Sequence, residues 1–210
     1  MLSIEKLKEE QIKLSKKIIL KDEFEDIKTI AGVEVIFLGR RMICSAASCD
    51  YKNMALKEEV HEVMQSDMPY LSGFRAYREG KAVTNAYLKL KEKPTIMMFA
   101  ANGILHPRRL GLASHMGILL DQPSIGVAKQ LLCGELKGNR IVLDGKTVGE
   151  AVATREHANP VFVSPGHKIS LKTSVEIVKN CIRPPHKLPE PLHLAHRLGN
   201  KVKEGIFAEI

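Results

Sequence analysis

Residues 95–129 read TIMMFAANGILHPRRLGLASHMGILLDQPSIGVAK and carry a short apolar run at each end. The first run, TIMMFAANG, has the length of a strand and is nearly continuous in apolar residues, which is typical of a strand buried on both faces. Pro107 suits the first turn of a helix that we expect to continue through about Leu120. The second run, PSIGVAK at 123–129, predicts another buried strand. Strand, helix and strand in this order favour an α/β domain with a partly parallel sheet.

The flanking sequence extends this pattern in both directions. IAGVEVIFLG and RMICSAASCDY are β-rich runs joined at residues 39–41 and predict a hairpin. A helix is expected across about 74–91, ended by Pro94. Beyond Gly134, the segments NRIVLDG, KTVGEAVATRE and PVFVSPG predict further strands. Two helices should follow, one with apolar residues at helical spacing and one in the closing stretch LHLAHRLGNKVKEGI. The apolar residues of the first are Leu171, Val175, Val178 and Ile182.

A chain of 210 residues with 44% hydrophobic and 27% charged residues predicts one folded domain. We expect an N-terminal amphipathic helix within residues 1–28 and the α/β domain over 29–210. No stretch rich in Pro, Gly or Ser divides the chain. The residues that define the apolar face of the first helix are Ile4, Leu7, Leu14 and Ile18.

Composition also constrains the expected cellular location and the expected binding partners. No apolar run approaches the roughly 18 to 20 residues of a membrane span, and the charged opening has no signal-peptide core, so we expect a cytoplasmic protein. The four cysteines lack zinc-finger spacing, so reduced, buried thiols are expected and zinc is not. The formal charge of +8 favours a polyanionic partner, although lysines that only maintain solubility would give the same total.

Two carboxylates could take part in chemistry. Glu34 interrupts the apolar run GVEVIF, and a carboxylate buried there costs several kcal/mol unless it is paired or binds a cation. The alternative is an outward-facing residue on an alternating strand. Glu79 follows the loop sequence MPYLSG and could equally be an exposed helix residue. Neither glutamate alone establishes a site.

Other polar and aromatic residues fall near the ends of predicted elements. His106 precedes the expected helix start, where free N–H groups and Arg108 would suit a phosphate. Lys129 ends a strand, and His167 lies on an expected tight turn before a helix. Tyr70 could stack on or wedge between bases. Each of these residues also has a purely structural alternative. His106 could be a helix cap and Lys129 a surface lysine. His167 could be a loop histidine, and Tyr70 could cover the core.

Taken together, these stretches resemble the endonuclease V family. The matching pieces run in order along the chain from about Ala31 to the last helix, and the longest has the pattern HPRR-x-GLASH-x-G-x-LLD-x-P-x-IGVAK. The pieces are IAGVEV, MPYLSGFRAYREG, NGILHPRRLGLASHMGILLDQPSIGVAKQLLCG, VGEAVATRE, PVFVSPGHKISL and LPEPLHLAHRL.

The resemblance implies a ribonuclease H-like α/β fold, with a central mixed sheet flanked by helices. It also implies Mg²⁺-dependent cleavage of a phosphodiester bond near hypoxanthine in DNA or RNA, with Mn²⁺ as a possible substitute. By position, Glu34 and Glu79 match metal-binding residues of the family, and Lys129, His167 and His106 match active-site residues. The residues implied to bind substrate, as wedge loop, base pocket or phosphate contact, are Pro69, Tyr70, Leu71, Gly73, Gly103 and Arg108.

This chain departs from the family motif at a central position. The motif runs Asp-Gly-His-Gly, whereas this chain has Ala100, Ala101, Asn102 and Gly103, and Glu34 stands where the family has aspartate. Losing a charged metal ligand should weaken metal binding or activity by at least roughly 10- to 100-fold.

Three hypotheses therefore remain. The first, which we prefer at this stage, is a weak inosine-directed endonuclease with metal held by Glu34 and Glu79 and with Asn102 as a neutral substitute. The second is a homologue that binds nucleic acid without cutting. The third is a homologue whose core is retained for folding, while a different surface carries the function. In each we expect a monomer that does not bind membranes.

Overall fold

The computed structural model describes residues 3–208, which contain five helices and nine strands. In chain order the elements are α1 (Ile4–Ser15), β1 (Thr29–Leu38), β2 (Arg41–Asp50), β3 (Leu56–Gln65), α2 (Arg75–Lys89), β4 (Ile96–Phe99), α3 (Leu112–Leu120), β5 (Ser124–Ala128), β6 (Glu135–Lys137), β7 (Arg140–Leu143), β8 (Lys146–Val152), β9 (Val161–His167), α4 (Leu171–Asn180) and α5 (Glu190–Ala208).

All of these strands belong to one mixed sheet, in the order β3-β2-β1-β4-β5-β9-β8-β7-β6. The central strands β1, β4 and β5 are parallel to one another, whereas β2, β3 and β9 run antiparallel to their neighbours. The predicted hairpin is confirmed, because β1 and β2 pair from Leu38 and Arg41 outward. The predicted α/β class with a central mixed sheet is confirmed as well.

The sheet is covered on both faces, and β4 shows why its sequence is apolar without interruption. Ile96 and Met98 pack into the core shared with α4 and α5, whereas Met97 and Phe99 pack into the core shared with α2 and α3. Successive side chains of a strand point to opposite faces, so a strand between two helical layers must be apolar at every position. Burial of each such side chain contributes about 1.5–3 kcal/mol.

The helix expected from Pro107 begins later, at Leu112. Arg109 has a left-handed backbone conformation with φ +58°, and its N–H donates to the carbonyl of His106. The N–H of Gly111 then donates to the carbonyl of Gly103, so this stretch closes as a turn against the end of β4. The prediction that His106 precedes a helix start is therefore wrong. Proline suits a first helical turn but also suits a tight turn.

The sequence pattern also misjudged shorter elements. Helix α1 ends at Ser15, so the helix occupies only part of the predicted residues 1–28. Residues 1 and 2 lie outside the described part of the chain. Strand β6 is fully exposed and strand β3 alternates between exposed and half-buried positions with charged residues at both, and neither strand was predicted. Strand β3 is an edge strand, whose polar outer face hides the usual apolar signal.

Three of the four cysteines are buried within the sheet and helices. They are Cys44, Cys49 and Cys181, and burial raises the pKa of the Cys49 and Cys181 thiols to about 12. These side chains therefore remain protonated and act as apolar packing groups. Between residues 3 and 208, no helix combines enough length with enough apolar character to cross a bilayer.

Candidate functional site

A cavity of about 380 Å³ opens where β4 and β5 end, beside the middle of β1. Ligand sites of open α/β sheets commonly lie at the carboxyl ends of parallel strands, and this volume is within the usual range for small-molecule pockets. The residues after β4 and β5 form one side, and the loop before α2 forms the other. Glu34, Tyr70, Gly73, His106 and Lys129 all line the cavity.

Glu34 lies on β1 and points into this cavity with only 8% of the residue exposed. Its Oε1 lies 3.4 Å from Nζ of Lys129. Its Oε2 accepts a 2.7 Å hydrogen bond from Nδ1 of His196. Of the two alternatives that the sequence left open for Glu34, the structure shows the buried and paired one, not the outward-facing one. Both of its oxygens are engaged by groups of the protein itself.

His196 is a site residue that the sequence prediction missed. Its Nε2 accepts a hydrogen bond from Nδ2 of Asn200, one turn later on α5, so the ring is held at both nitrogens. Helix α5 reaches β1 because Gly32 leaves room for it: a Cβ at Gly32 would lie 2.1 Å from the carbonyl oxygen of Pro191. The hydroxyl of Ser45 donates to the carbonyl of Ala195 and fixes the same contact. Only the packing of α5 on the sheet brings His196 to Glu34.

Glu79 lies on α2 with 1% of the residue exposed, and both carboxylate oxygens accept from Arg75. Arg75 Nε lies 2.9 Å from Oε1, and Nη2 lies 2.8 Å from Oε2. Burial alone would lower the pKa of Arg75, but the hydrogen bonds and charge of Glu79 outweigh it and raise the pKa. Arg75 remains charged, and this two-bond pairing is a strong one. Arg75 lines the cavity and separates it from Glu79.

The alanine at position 100 lies directly between these two glutamates in the fold. Its N–H donates to the carbonyl of Val33, the residue before Glu34, at 2.9 Å. Its carbonyl accepts from Nη1 of Arg75 at 3.3 Å. The side chain is a methyl group, which cannot bind a cation.

These side chains do not fit a divalent ion as they stand. Mg²⁺ requires oxygen ligands, and here both carboxylates are paired with cationic or donor groups while the third position is Ala100. The formal charges of Glu34 and Glu79 are cancelled by those of Lys129 and Arg75. Within residues 3–208, no group of three or more His, Cys, Asp or Glu side chains is arranged to hold a metal ion.

Asn102 offers one oxygen at the same cavity. Within the described residues its side-chain Oδ1 is buried and has no hydrogen-bond partner. A buried acceptor without a donor is costly, about 1–3 kcal/mol, so it is suited to receive a donor from a ligand.

His106 lines the cavity, but both of its ring nitrogens are occupied. Nε2 lies 3.1 Å from the carbonyl oxygen of Gly73 and must donate to it, while Nδ1 accepts from the backbone N–H of Arg108. Burial lowers the pKa of His106 to about 4, against a smaller opposing effect of the Gly73 carbonyl. The ring is therefore neutral near pH 7 and positions the loop that contains Gly73.

Arg108 is half-buried, and its guanidinium is hydrogen-bonded within the protein. Its Nε donates to the side-chain Oε1 of Gln11, and its Nη2 donates to the carbonyl of Gly73 at 3.1 Å. Gln11 itself donates to the same carbonyl at 2.9 Å. Three donors from α1 and from the turn after β4 thus converge on one carbonyl. The prediction that Arg108 contacts substrate phosphate is not supported by this geometry, and the role of Gln11 was not predicted.

The predicted wedge loop connects β3 to α2. Tyr70 is 62% exposed and borders the cavity, as expected for a side chain that contacts a partner. Pro69 borders a neighbouring depression beside Arg78, and Leu71 is half-buried. The guanidinium of Arg78 lies 5.8 Å from the Tyr70 ring centroid. The loop presents one aromatic side chain at the rim of the cavity.

Two of the predicted site residues do not reach the cavity. His167 ends β9 and pairs with Ser124 at the start of β5, whereas Lys129 follows the end of β5. Positions 124 and 129 are five residues apart in the chain, which corresponds to about 16 Å of extended strand. The predicted tight turn before a helix is wrong for His167, because this residue still belongs to β9, and it does not line the cavity. Gly103 packs against β9, where a Cβ would lie 2.1 Å from the carbonyl oxygen of Pro165, and it does not line the cavity.

The chain is similar to known proteins over nearly its whole length. A model of the Endonuclease V family matches residues 12–197. Endonuclease V of Dictyoglomus turgidum is 43% identical over 199 residues, which cover 91% of this chain and 86% of that protein. The crystal structure of Endonuclease V from Bacillus subtilis has a TM-score of 0.92 at 28% identity and covers 100% of this chain and 96% of that one. Ciona intestinalis Endonuclease V, in complex with a 24mer DNA containing an inosine followed by a ribo-adenosine, has a TM-score of 0.88 at 27% identity, with coverages of 97% and 98%.

Proposed function

Because this chain belongs to the endonuclease V family, we propose that it binds nucleic acid containing deaminated adenine at the cavity beside Glu34, without a catalytic metal ion. The observation that carries the proposal is the pairing of both glutamates at these positions with side chains of the chain itself. Glu79 is bound by Arg75, and Glu34 is bound by Lys129 and His196. A site of this kind can hold a ligand but offers no free carboxylate for Mg²⁺.

The shape of the site supports recognition of an extruded base. The cavity has room for a small polar ring, and Asn102 Oδ1 is available to a ligand donor. The exposed Tyr70 at the rim can stack on the bases that remain in the strand, which typically contributes about 1–3 kcal/mol per base. The Ciona relative binds inosine-containing DNA. Extruding a mispaired base costs less than extruding a paired one, which favours deaminated sites.

Equilibrium binding in chelator tests this proposal. Labelled DNA and RNA strands with a single inosine, and matched strands with guanosine, are titrated with the protein in EDTA. We expect the inosine strand to bind at least about 10-fold more tightly, a difference of about 1.4 kcal/mol. Equal affinities for the two strands would reject recognition of deaminated adenine. Comparison of DNA with RNA identifies the preferred strand.

A second function, weak metal-dependent cleavage, is favoured by one observation. Glu34 and Glu79 keep a carboxylate at both positions, and the free Oδ1 of Asn102 is a neutral oxygen in the same cavity. Incubating the inosine strand with Mg²⁺ or Mn²⁺ separates the two functions. Binding without nicking supports the proposed function, whereas metal-dependent nicking that EDTA abolishes supports the nuclease. Absence of both would mean that another surface carries the function.

A further inference from the structure

Arg75 joins the two places from which the family pattern would supply metal ligands. Its Nε and Nη2 bind the carboxylate of Glu79 on α2, and its Nη1 binds the carbonyl of Ala100 after β4. All three guanidinium nitrogens are therefore used at this one junction.

The buried carboxylate of Glu79 makes a cation at this point necessary. Only 1% of Glu79 is exposed, and an unpaired carboxylate at such depth carries a large desolvation cost. Either an ion or a charged side chain must offset that cost. Arg75 offsets it, since the Nε and Nη2 edge of its guanidinium reaches both carboxylate oxygens of Glu79.

The geometry points to Arg75 as a built-in replacement for the metal ion: we propose that its guanidinium supplies the positive charge that binds Glu79 and bridges α2 to the end of β4. This inference deepens the proposed function by naming the group that makes the site independent of metal. It explains why Ala100, which has no side-chain ligand, is compatible with a buried Glu79.

Restoring the missing carboxylate at position 100 should not by itself restore metal binding. In Ala100→Asp the new carboxylate would enter the cavity that Arg75 also lines, and the guanidinium already reaches the carbonyl oxygen of residue 100. It would pair with Arg75 instead of with a metal ion. Removing the guanidinium as well, in Arg75→Met with Ala100→Asp, would leave two carboxylates without their cation and open the site to a divalent ion.

Mn²⁺ binding tests the inference without any measurement of nucleic acid. Free Mn²⁺ is followed by electron paramagnetic resonance, and each melting temperature is measured with and without Mn²⁺. We expect the double variant to bind Mn²⁺ at least about 10-fold more tightly than Ala100→Asp or the wild type. We also expect Mn²⁺ to raise the melting temperature of Arg75→Met, because the ion takes the place of the guanidinium.

Arg78→Met is the matched control, since Arg78 lies on the same helix and its guanidinium stacks 3.8 Å from the Phe37 ring centroid instead of pairing with Glu79. It should show no Mn²⁺ response. If Arg75→Met is unfolded without metal, refolding on Mn²⁺ addition, followed by circular dichroism, supports the inference, and failure to refold overturns it. Wild type that binds Mn²⁺ as tightly as the double variant overturns it too. These results do not depend on whether inosine strands bind.

Discussion

His106 illustrates how burial determines the charge and role of a single side chain. Only 2% of this residue is exposed, and each ring nitrogen already has a backbone partner. A neutral ring with both nitrogens engaged cannot accept a proton at pH 7 without breaking a hydrogen bond. His106 therefore holds Gly73 in position, which differs from the active-site role that the family resemblance implies.

Acidification should destabilise the protein through His106. The unfolded chain binds a proton on this histidine below a pKa of about 6.5, whereas the folded chain binds it only below about 4. The folded pKa is lowered, so the free energy of unfolding should decrease as the pH falls from 6.5 to 4. The loss is about 3 kcal/mol, because each pKa unit corresponds to about 1.4 kcal/mol.

Urea unfolding at several pH values measures this effect in the wild type and in His106→Gln. The decline between pH 6.5 and 4 should be clearly shallower in the variant. His157→Gln is the control, since His157 is an exposed histidine on a loop. Parallel pH profiles for wild type and His106→Gln would contradict the assignment.

At the level of elements, the site depends on how closely α5 approaches β1. Gly32→Ala places a methyl group 2.1 Å from the backbone of Pro191, and neither strand nor helix backbone can move aside cheaply. We expect a loss of about 1–3 kcal/mol in the free energy of unfolding. A shift of α5 would also separate His196 from Glu34, so affinity for the inosine strand should fall.

Gly205→Ala, which lies on α5 itself, is the control for Gly32→Ala on β1. A Cβ at Gly205 meets nothing within 4 Å, so this change should stabilise α5 by about 0.5–1 kcal/mol and leave binding unaltered. Chemical unfolding and strand titration report both quantities. Equal stability of Gly32→Ala and wild type would show that α5 is not held by this contact.

Helix α1 is connected to the loop before α2 by one side chain. Gln11 is buried and bonds both Gly73 and Arg108, so Gln11→Ala leaves a carbonyl and a guanidinium each short of a partner. We expect faster hydrogen exchange in residues 66–74 and weaker binding of the inosine strand. Lys13→Ala, on the exposed face of α1, should change neither. Unchanged exchange in Gln11→Ala would mean that α1 does not order the loop.

For the whole molecule, the formal charge of +8 should make binding sensitive to salt. The logarithm of the association constant should fall linearly with the logarithm of salt concentration, with a slope set by the number of phosphates contacted. Lys129→Met, at the cavity, should reduce that slope by about 1. Lys137→Met, on the exposed edge strand β6, should leave it unchanged. A slope near zero in the wild type would exclude a surface that contacts several phosphates.

Most of the fold follows from local patterns. The apolar runs of β4 and β5, the β1–β2 hairpin and helices α2, α4 and α5 lie close to where the sequence predicts them, because burial on two faces or on one helical stripe leaves a direct periodic signal. The start of α3 and the strand β6 were missed. A proline turn resembles a helix start, and an exposed edge strand carries no apolar alternation.

The sequence alone determined the α/β class and the endonuclease V family, since these follow from periodicity and from motifs contiguous in the chain. Only the tertiary structure determined which residues form the site. It brought Arg75 and Gln11 to the cavity and His196 to Glu34, and it placed His167 at the opposite end of β5. The physical reason is that Lys129 after β5 and His196 on α5 meet Glu34 only through packing, which spacing along the chain does not record. The pair of Arg75 and Glu79, in contrast, has the i, i+4 spacing of a single helix.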